Sequence, residues 1–205
     1  PIHNEDKSLW IVHNGEIYNF KELRQTLIKK GHKFYTHTDT EVIVHAYEEY
    51  GVDCIEHFNG MFAIVIWDQK KKQLLLVRDR LGIKPLYYYL DNNFFAFSSE
   101  IRPLLKIRQI PKQIDFESLD MYLTLRYVPG SKTMFQSIYS FPPATLGIFN
   151  YGQLRLERYW QVDFSQKLKL KDKDVIEQFS CLLEDSVKLR MISDVPIGAY
   201  LSGGL

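Results

Sequence analysis

Apolar residues along this chain follow two rhythms, and the points where one gives way to the other mark out its elements. Leu9-Trp10-Ile11-Val12 is a continuous apolar run of β-formers and predicts a buried strand. From Phe20 the spacing changes. Phe20, Leu23 and Leu27 recur on one helical face, Gly31 stands where that helix should stop, and Asn19 with Glu22 has the form of a capping box. A second helix is predicted over 39–50, with Thr38-Asp39-Thr40-Glu41 as its capping box and Gly51 as its stop. Val42, Ile43, Ala46, Tyr47 and Tyr50 form its apolar face. The stretch 61–67 has no polar alternation and predicts a strand covered on both faces, returned by the polar turn 68–72 into 73–78. A second hairpin joins 86–90 to 94–97 through Asp91-Asn92-Asn93. A short helix begins at 99–102, a longer one covers 116–127 behind Asp115, and 144–149 with 154–159 close a last hairpin. Doubly covered strands joined by hairpins, with helices before and after, predict an α+β fold of stacked antiparallel sheets under helices. The polar, lysine-rich stretch 161–173 reads as a linker. Beyond it, Ile176, Phe179, Leu183 and Val187 mark an amphipathic helix, and 197–201 reads as a strand feeding Ser202-Gly203-Gly204.

Composition narrows the function classes. A chain of 205 residues has room for one domain and part of another, and 45% hydrophobic residues supply a core. A formal charge of +1 gives no reason to expect nucleic acid or an anionic membrane as partner. No apolar run approaches the ~20 residues of a membrane helix, and residues 1–6 do not resemble a signal peptide. Cys54 and Cys181 form neither a CxxC motif nor a disulfide framework, which fits a reducing compartment, and both read as buried structural thiols. The chain opens on Pro1 rather than methionine and stops at Leu205 inside a small-residue motif, so both ends are expected to be cut. The six histidines show no metal-ligand spacing and read as surface or hydrogen-bonded residues, with no metal expected.

The most informative stretch is His13-Asn14-Gly15-Glu16-Ile17-Tyr18-Asn19-Phe20. Here the first strand is expected to end and the backbone to turn, with Gly15 permitting the turn and the close approach of another molecule to its N–H. The Asn14 amide and the Gly15 N–H are the donor pair that an oxyanion hole requires. An Asn-Gly hairpin turn is the competing reading, weakened by the helix that follows. HNGEIYNF resembles the glutaminase signature of class II glutamine amidotransferases, and in particular that of glutamine-dependent asparagine synthetases. The resemblance continues through THTDTEVI, NGMFAIVIWD, RDRLGIKPLYY and SSEIRPLL to the terminal SDVPIGAYLSGGL.

This resemblance implies a four-layer αββα sandwich of the N-terminal-nucleophile hydrolase type over 1–160, lacking its N-terminal block. It implies the linker at 161–173 and, over 174–205, the start of an α/β ATP-pyrophosphatase domain with a PP-loop. Asn14 and Gly15 would correspond to oxyanion donors, and Glu16 and Asp39 to glutamine-binding residues suited to its α-ammonium. On its own, Asp39 reads equally well as a helix cap. The family's nucleophile is a cysteine at the mature N-terminus whose own α-amine serves as base. No residue of this chain corresponds to it, or to the family's arginine for the glutamine carboxylate. Leu201, Ser202, Gly203 and Gly204 resemble a pyrophosphate loop for ATP. With Mg2+, ATP would adenylate aspartate, and ammonia from glutamine would displace AMP. Glutamine, aspartate and ATP are thus the implied substrates, the cytoplasm the implied compartment, and a homodimer is left open. Two rivals remain: a relative that amidates another carboxylate, and a non-catalytic domain that binds a ligand or partner. Arg78, Asp79, Arg80 and Lys84 of RDRLGIKPLYY read either as a charged network near an interdomain passage or as ordinary ion pairs at strand ends.

Overall fold

The computed structural model describes all 205 residues except 166, 168, 194, 202, 204 and 205. The chain divides into two compact units, Pro1–Gln161 and Val162–Leu205. The first unit opens with β1 (Ile2–His3), β2 (Leu9–Ile17), α1 (Phe20–Lys29), α2 (Asp39–Tyr50) and a 3-10 helix, Gly51–His57. It continues through β3 (Gly60–Asp68), β4 (Gln73–Arg78), β5 (Tyr87–Leu90), β6 (Phe95–Ser98), α3 (Ile101–Lys106) and α4 (Phe116–Leu125). It closes with β7 (Ile138–Ser140), β8 (Thr145–Asn150) and β9 (Gln153–Arg158).

The strands form a six-stranded sheet in the order β1-β2-β3-β4-β8-β9 and a three-stranded sheet in the order β6-β5-β7, with every pairing antiparallel. Strand β3 shows why its sequence lacks polar alternation. Ile64 and Ile66 enter a core with Leu27, Val42 and Ile43 of the helices, while Ala63 and Val65 face Leu86 and Phe141 on the other side. Tyr89 and Ile138 of the small sheet turn their outer face to Leu104 of α3 and to Ile110. Helices, large sheet, small sheet and helix therefore stack as an αββα sandwich.

Helix α2 has its predicted bounds, because Thr38 caps it by accepting the Glu41 N–H at 3.4 Å and Gly51 ends it at φ 63°. The Glu41 half of the predicted capping box goes elsewhere. Its fully buried carboxylate accepts the N–H groups of Tyr35 (2.7 Å) and Thr36 (2.6 Å), donors of the preceding loop with a greater need for a partner. Asn19 likewise makes no cap bond to α1; its amide donates to His57 O (2.9 Å) and accepts the Asn59 N–H (3.0 Å), holding the approach to β3.

One expectation is overturned at the signature stretch. β2 does not end before Asn14-Gly15 but runs through them to Ile17, with Asn14 opposite Ala63 and Gly15 opposite Phe62. Pairing with β3 overrides the turn preference of Asn and Gly. The glycine is needed because a Cβ there would lie 2.1 Å from Met61 O.

In the second unit, α5 (Asp172–Arg190) starts inside the stretch expected to be linker. Asp172 and Asp174 sit in its first turn and Lys188 and Arg190 in its last, each matching the helix dipole. No described residue of α5 is buried, so Cys181 is exposed rather than buried as expected. The expected strand at 197–201 is absent, since this unit contains no described strand for it to pair with.

Candidate active site

Because β1 is two residues long, it pairs only with Trp10 and Ile11 of β2. Past Ile11, no described strand lies on that edge of β2. The peptide group of Gly15 points toward this open edge. Its partner Phe62 directs its own N–H and C=O to the other side, donating to Asp79 Oδ2 (3.2 Å) and accepting the Asp79 N–H (2.8 Å). Peptide groups of such a pair point away from one another. Side-chain alternation does the rest: Ile11 and Ile17 enter the core under the helices, so Asn14 faces the small sheet. There it lines a cleft of about 210 Å³ with Val65, Leu86, Phe97, Ser98 and Ser99.

Asp39, the first residue of α2, reaches the same edge, its Oδ2 accepting the Ile17 N–H at 2.9 Å. Glu16 lies between, with its side chain exposed. The four residues grouped by sequence, Asn14, Gly15, Glu16 and Asp39, thus come together at the end of one strand. A side-chain amide and an outward peptide N–H sit beside two carboxyl groups, an arrangement able to hold a carboxamide at one end and an ammonium at the other.

The family model for the glutamine amidotransferase domain matches residues 1–160. The chain belongs to this family. A second model, for asparagine synthase, matches residues 178–205. A putative glutamine-hydrolyzing asparagine synthetase of Methanocaldococcus jannaschii is 40% identical over 198 residues, covering 95% of this chain and 38% of that protein. Glutamine-hydrolyzing asparagine synthetase 3 of Bacillus subtilis is 38% identical over 197 residues, covering 95% of this chain and 32% of that protein. The chain thus spans about a third of the length of the curated relatives it matches. Among solved structures, glutamine phosphoribosylpyrophosphate amidotransferase from B. subtilis, complexed with ADP and GMP, aligns with a TM-score of 0.53 at 19% identity. That alignment covers 78% of this chain and 31% of the other. An allosteric regulatory enzyme of purine biosynthesis aligns with a TM-score of 0.51 at 20% identity, over 75% of this chain and 29% of its own. At these identities the likeness establishes the fold.

Within the amidotransferase domain, Cys54 does not line the cleft. Cys54 lies in the 3-10 helix among the core residues under the large sheet. Burial, with the nearby Asp53 charge adding to it, pushes its thiol up to about 12. Cys181 lies on α5 in the second unit.

The charged block after β4 fixes a loop. Asp79, 2% exposed, accepts four backbone N–H groups: Leu81 (3.1 Å) and Ile83 (2.9 Å) on Oδ1, Phe62 (3.2 Å) and Lys84 (3.0 Å) on Oδ2. Arg78 donates to the carbonyls of Lys84 (2.7 Å), Gly82 (2.8 Å) and Phe141 (2.6 Å). Arg78 and Asp79 therefore satisfy peptide groups rather than each other, which departs from the ion-pair alternative of the two readings for this block. Through Phe62 this lock also fixes the strand opposite Gly15.

Three contributors to the site carried no assigned role in the sequence. Ser98 and Ser99 line the cleft; the SSEIRPLL block pointed at them without indicating where they lie. His13 places Nδ1 3.0 Å from Thr40 Oγ1 of α2, while its Nε2 is buried without a hydrogen-bond partner. Burial holds its pKa below the ordinary value; the Asp39 charge opposes that shift and the Lys84 charge adds to it. Of the residues likened to an ATP loop, Leu201 and Gly203 have no regular structure, and Ser202 and Gly204 lie outside the described residues.

Proposed function

We propose that this domain binds glutamine at the end of β2 and that Asn14 and Gly15 donate hydrogen bonds to the oxyanion formed when the side-chain amide is attacked. The observation that carries this reading is the Gly15 peptide turned out of an open strand edge, beside an Asn14 that lines the cleft. Negative charge collects on the amide oxygen only as the carbon becomes tetrahedral. Donors held in a paired strand meet that charge without reorganising. Glu16 and Asp39 would take the α-ammonium, Asp39 holding its position through Ile17. The attacking thiol would be the N-terminal cysteine of the family, with its own amine as base, and neither Cys54 nor Cys181. The 205 residues alone are therefore expected to release no ammonia from glutamine.

For the whole protein we propose a glutamine-hydrolysing asparagine synthetase, in which ammonia so released amidates aspartate at the expense of ATP. The asparagine synthase match over 178–205 and the names of the relatives support this over an amidase of another carboxylate or a non-catalytic domain. Domain limits of 1–160, a linker at 161–173 and an ATP-pyrophosphatase segment at 174–205 accompany that reading. ATP with Mg2+ would be held by Leu201, Ser202, Gly203 and Gly204, on the strength of the motif. The described residues form no cradle, since a Cβ at Gly203 would meet nothing within 4 Å, and no step is derived through the nucleotide. Two unpaired thiols favour the cytoplasm, and a homodimer remains part of the proposal. Among the described residues, no helix is long and apolar enough to cross a membrane.

The test is Asn14→Ala in the chain extended to the length of its relatives. Glutamine-dependent turnover should fall ~10²–10³-fold, glutamine binding should change little, and synthesis from free ammonia should persist. A fall of less than about tenfold, or equal loss of the ammonia reaction, would overturn the oxyanion assignment.

A further inference from the structure

Away from the cleft, four side chains from three separate segments converge behind α2. Glu5 comes from the turn after β1, His32 from the loop between α1 and α2, and His45 and Glu48 from α2 itself. One ligand atom of each lies within 4.8 Å of those of the others. His45 Nδ1 is 3.3 Å from Glu5 Oε2 and 3.8 Å from Glu48 Oε2, and His32 Nδ1 is 3.7 Å from both Glu5 Oε1 and Glu48 Oε2.

His45 Nδ1 makes no hydrogen bond to either carboxylate, and the His32 Nδ1 separations exceed the roughly 2.7–3.2 Å of one. These distances approach the roughly 3.3–3.4 Å between neighbouring ligand atoms when four of them surround an ion tetrahedrally at about 2.0–2.1 Å. The His45 side chain is 0% exposed, and neither of its ring nitrogens has a hydrogen-bond partner. A buried imidazole in that state is costly unless something occupies the point it faces.

The surroundings are those of a metal site. His45 turns Nε2 toward Glu41 Oε1 (3.5 Å), and His32 turns Nε2 toward Glu49 Oε2 (3.3 Å), so each imidazole has a carboxylate behind it and Nδ1 toward the centre. Asn4 Nδ2 donates to Glu48 Oε1 (3.1 Å) and the Lys33 N–H to Glu5 Oε1 (2.8 Å), fixing both carboxylates. A histidine ligand oriented from behind by a carboxylate, and a carboxylate ligand itself hydrogen-bonded, make up the usual outer shell of a bound metal.

We infer that Glu5, His32, His45 and Glu48 bind one divalent transition-metal ion of the zinc class. Two imidazoles and two carboxylates are a donor set for Zn2+ rather than for Ca2+ or Mg2+, which take oxygen ligands. The two carboxylate charges neutralise the ion. Four protein ligands leave no open position, so the role is structural: the ion staples the β1 turn and the α1–α2 loop to the helix that opens with Asp39. The ligands are too scattered along the chain for any spacing motif to announce them.

The full chain, stripped with a chelator, should bind one Zn2+ per molecule by calorimetric titration. Its melting temperature should rise with Zn2+ concentration, as linkage requires. Glu48→Gln and His32→Gln should each weaken binding at least about a hundredfold and abolish the melting shift. Glu48→Gln alters a partly exposed side chain and keeps the oxygen that faces Asn4, so in chelator it should melt with the unmodified chain. Cys181→Ser should bind normally, which excludes the exposed thiol as ligand. Absence of stoichiometric binding, undiminished binding by Glu48→Gln, or loss of binding in Cys181→Ser would each overturn the site.

Discussion

Asp39 Oδ2 accepts the Ile17 N–H at 2.9 Å, tying the first residue of α2 to the last residue of β2. The cap of α2 is Thr38, so Asp39 is released from the capping role its position suggested and spends its charge on the strand edge that carries Gly15. Asp39→Asn keeps an oxygen for the Ile17 N–H and removes the charge. Its melting temperature should stay near that of the unmodified chain, while glutamine KM rises in the extended protein. Asp39→Ala also strips the N–H of its partner and should cost about 1–3 kcal/mol in chemical denaturation. Unchanged KM in Asp39→Asn would return the residue to a structural role.

Gly15→Ala should be among the most damaging single changes in the sheet. Its φ of 149° is rarely adopted by residues with a Cβ, and the new atom would lie 2.7 Å from Phe62 Cα and closer still to Met61 O. Backbone strain alone costs about 1–3 kcal/mol, and neither contact can swing aside because both belong to β3. Denaturation midpoints would show a large loss for Gly15→Ala. The control, Gly198→Ala, where nothing lies within 4 Å, should leave the midpoint unchanged.

Asp79→Ala removes the acceptor of four backbone N–H groups in a site almost closed to water, and should destabilise by at least about 3 kcal/mol. Asp79→Asn should recover little. Whichever way its amide turns, an NH2 group faces two N–H donors. Equilibrium unfolding of the two variants checks this: substantial recovery in Asp79→Asn would mean that one oxygen with its two N–H groups is enough to hold the loop.

The two thiols should differ sharply toward an alkylating reagent. Cys54 is buried and its thiol pushed up to about 12, which lowers its thiolate fraction on the order of a thousandfold against an ordinary cysteine. Cys181 is exposed. Mass spectrometry should find one label on the native chain, at Cys181, and a second only under denaturant. Labelling of native Cys54 at a matching rate would mean that the 3-10 helix opens freely.

What the sequence made legible was local. Helix α2 could be read to its exact bounds because Thr38, its apolar face and Gly51 are contiguous. The hairpins β3–β4, β5–β6 and β8–β9 announced themselves through short turns between apolar runs. Contacts between distant residues were not legible. β1 and β7, of two and three residues, are strands only because β2 and β5 pair with them. β2 runs through Asn14-Gly15 only because β3 lies alongside. The same holds at the site. The motif grouped Asn14, Gly15, Glu16 and Asp39, but nothing local shows that Phe62 and Asp79 aim the Gly15 peptide, or that Ser98 and Ser99 complete the cleft.

Acid should act on the domain first through His13. Burial holds its folded pKa below the ordinary 6.5, with the Asp39 charge opposing that shift and the Lys84 charge adding to it. As pH falls below about 6.5 the unfolded chain takes up a proton on this residue. The folded chain, with Nε2 buried and unpartnered, resists it. The unfolded state then binds more protons, so stability must fall with falling pH, by up to about 1.4 kcal/mol per pH unit for one proton. The carboxylates whose pKa is lowered in the fold, such as Asp91 and Asp115, lose stability in the same direction but below their ordinary value of 3.8. Denaturation in chelator at pH values between about 5 and 7 keeps those carboxylates out of the comparison, and the difference between His13→Gln and the unmodified chain reads the His13 contribution. His13→Gln, which can still reach Thr40, should flatten the slope by up to one proton; an unchanged slope would mean that His13 charges in the folded chain as readily as in the unfolded one.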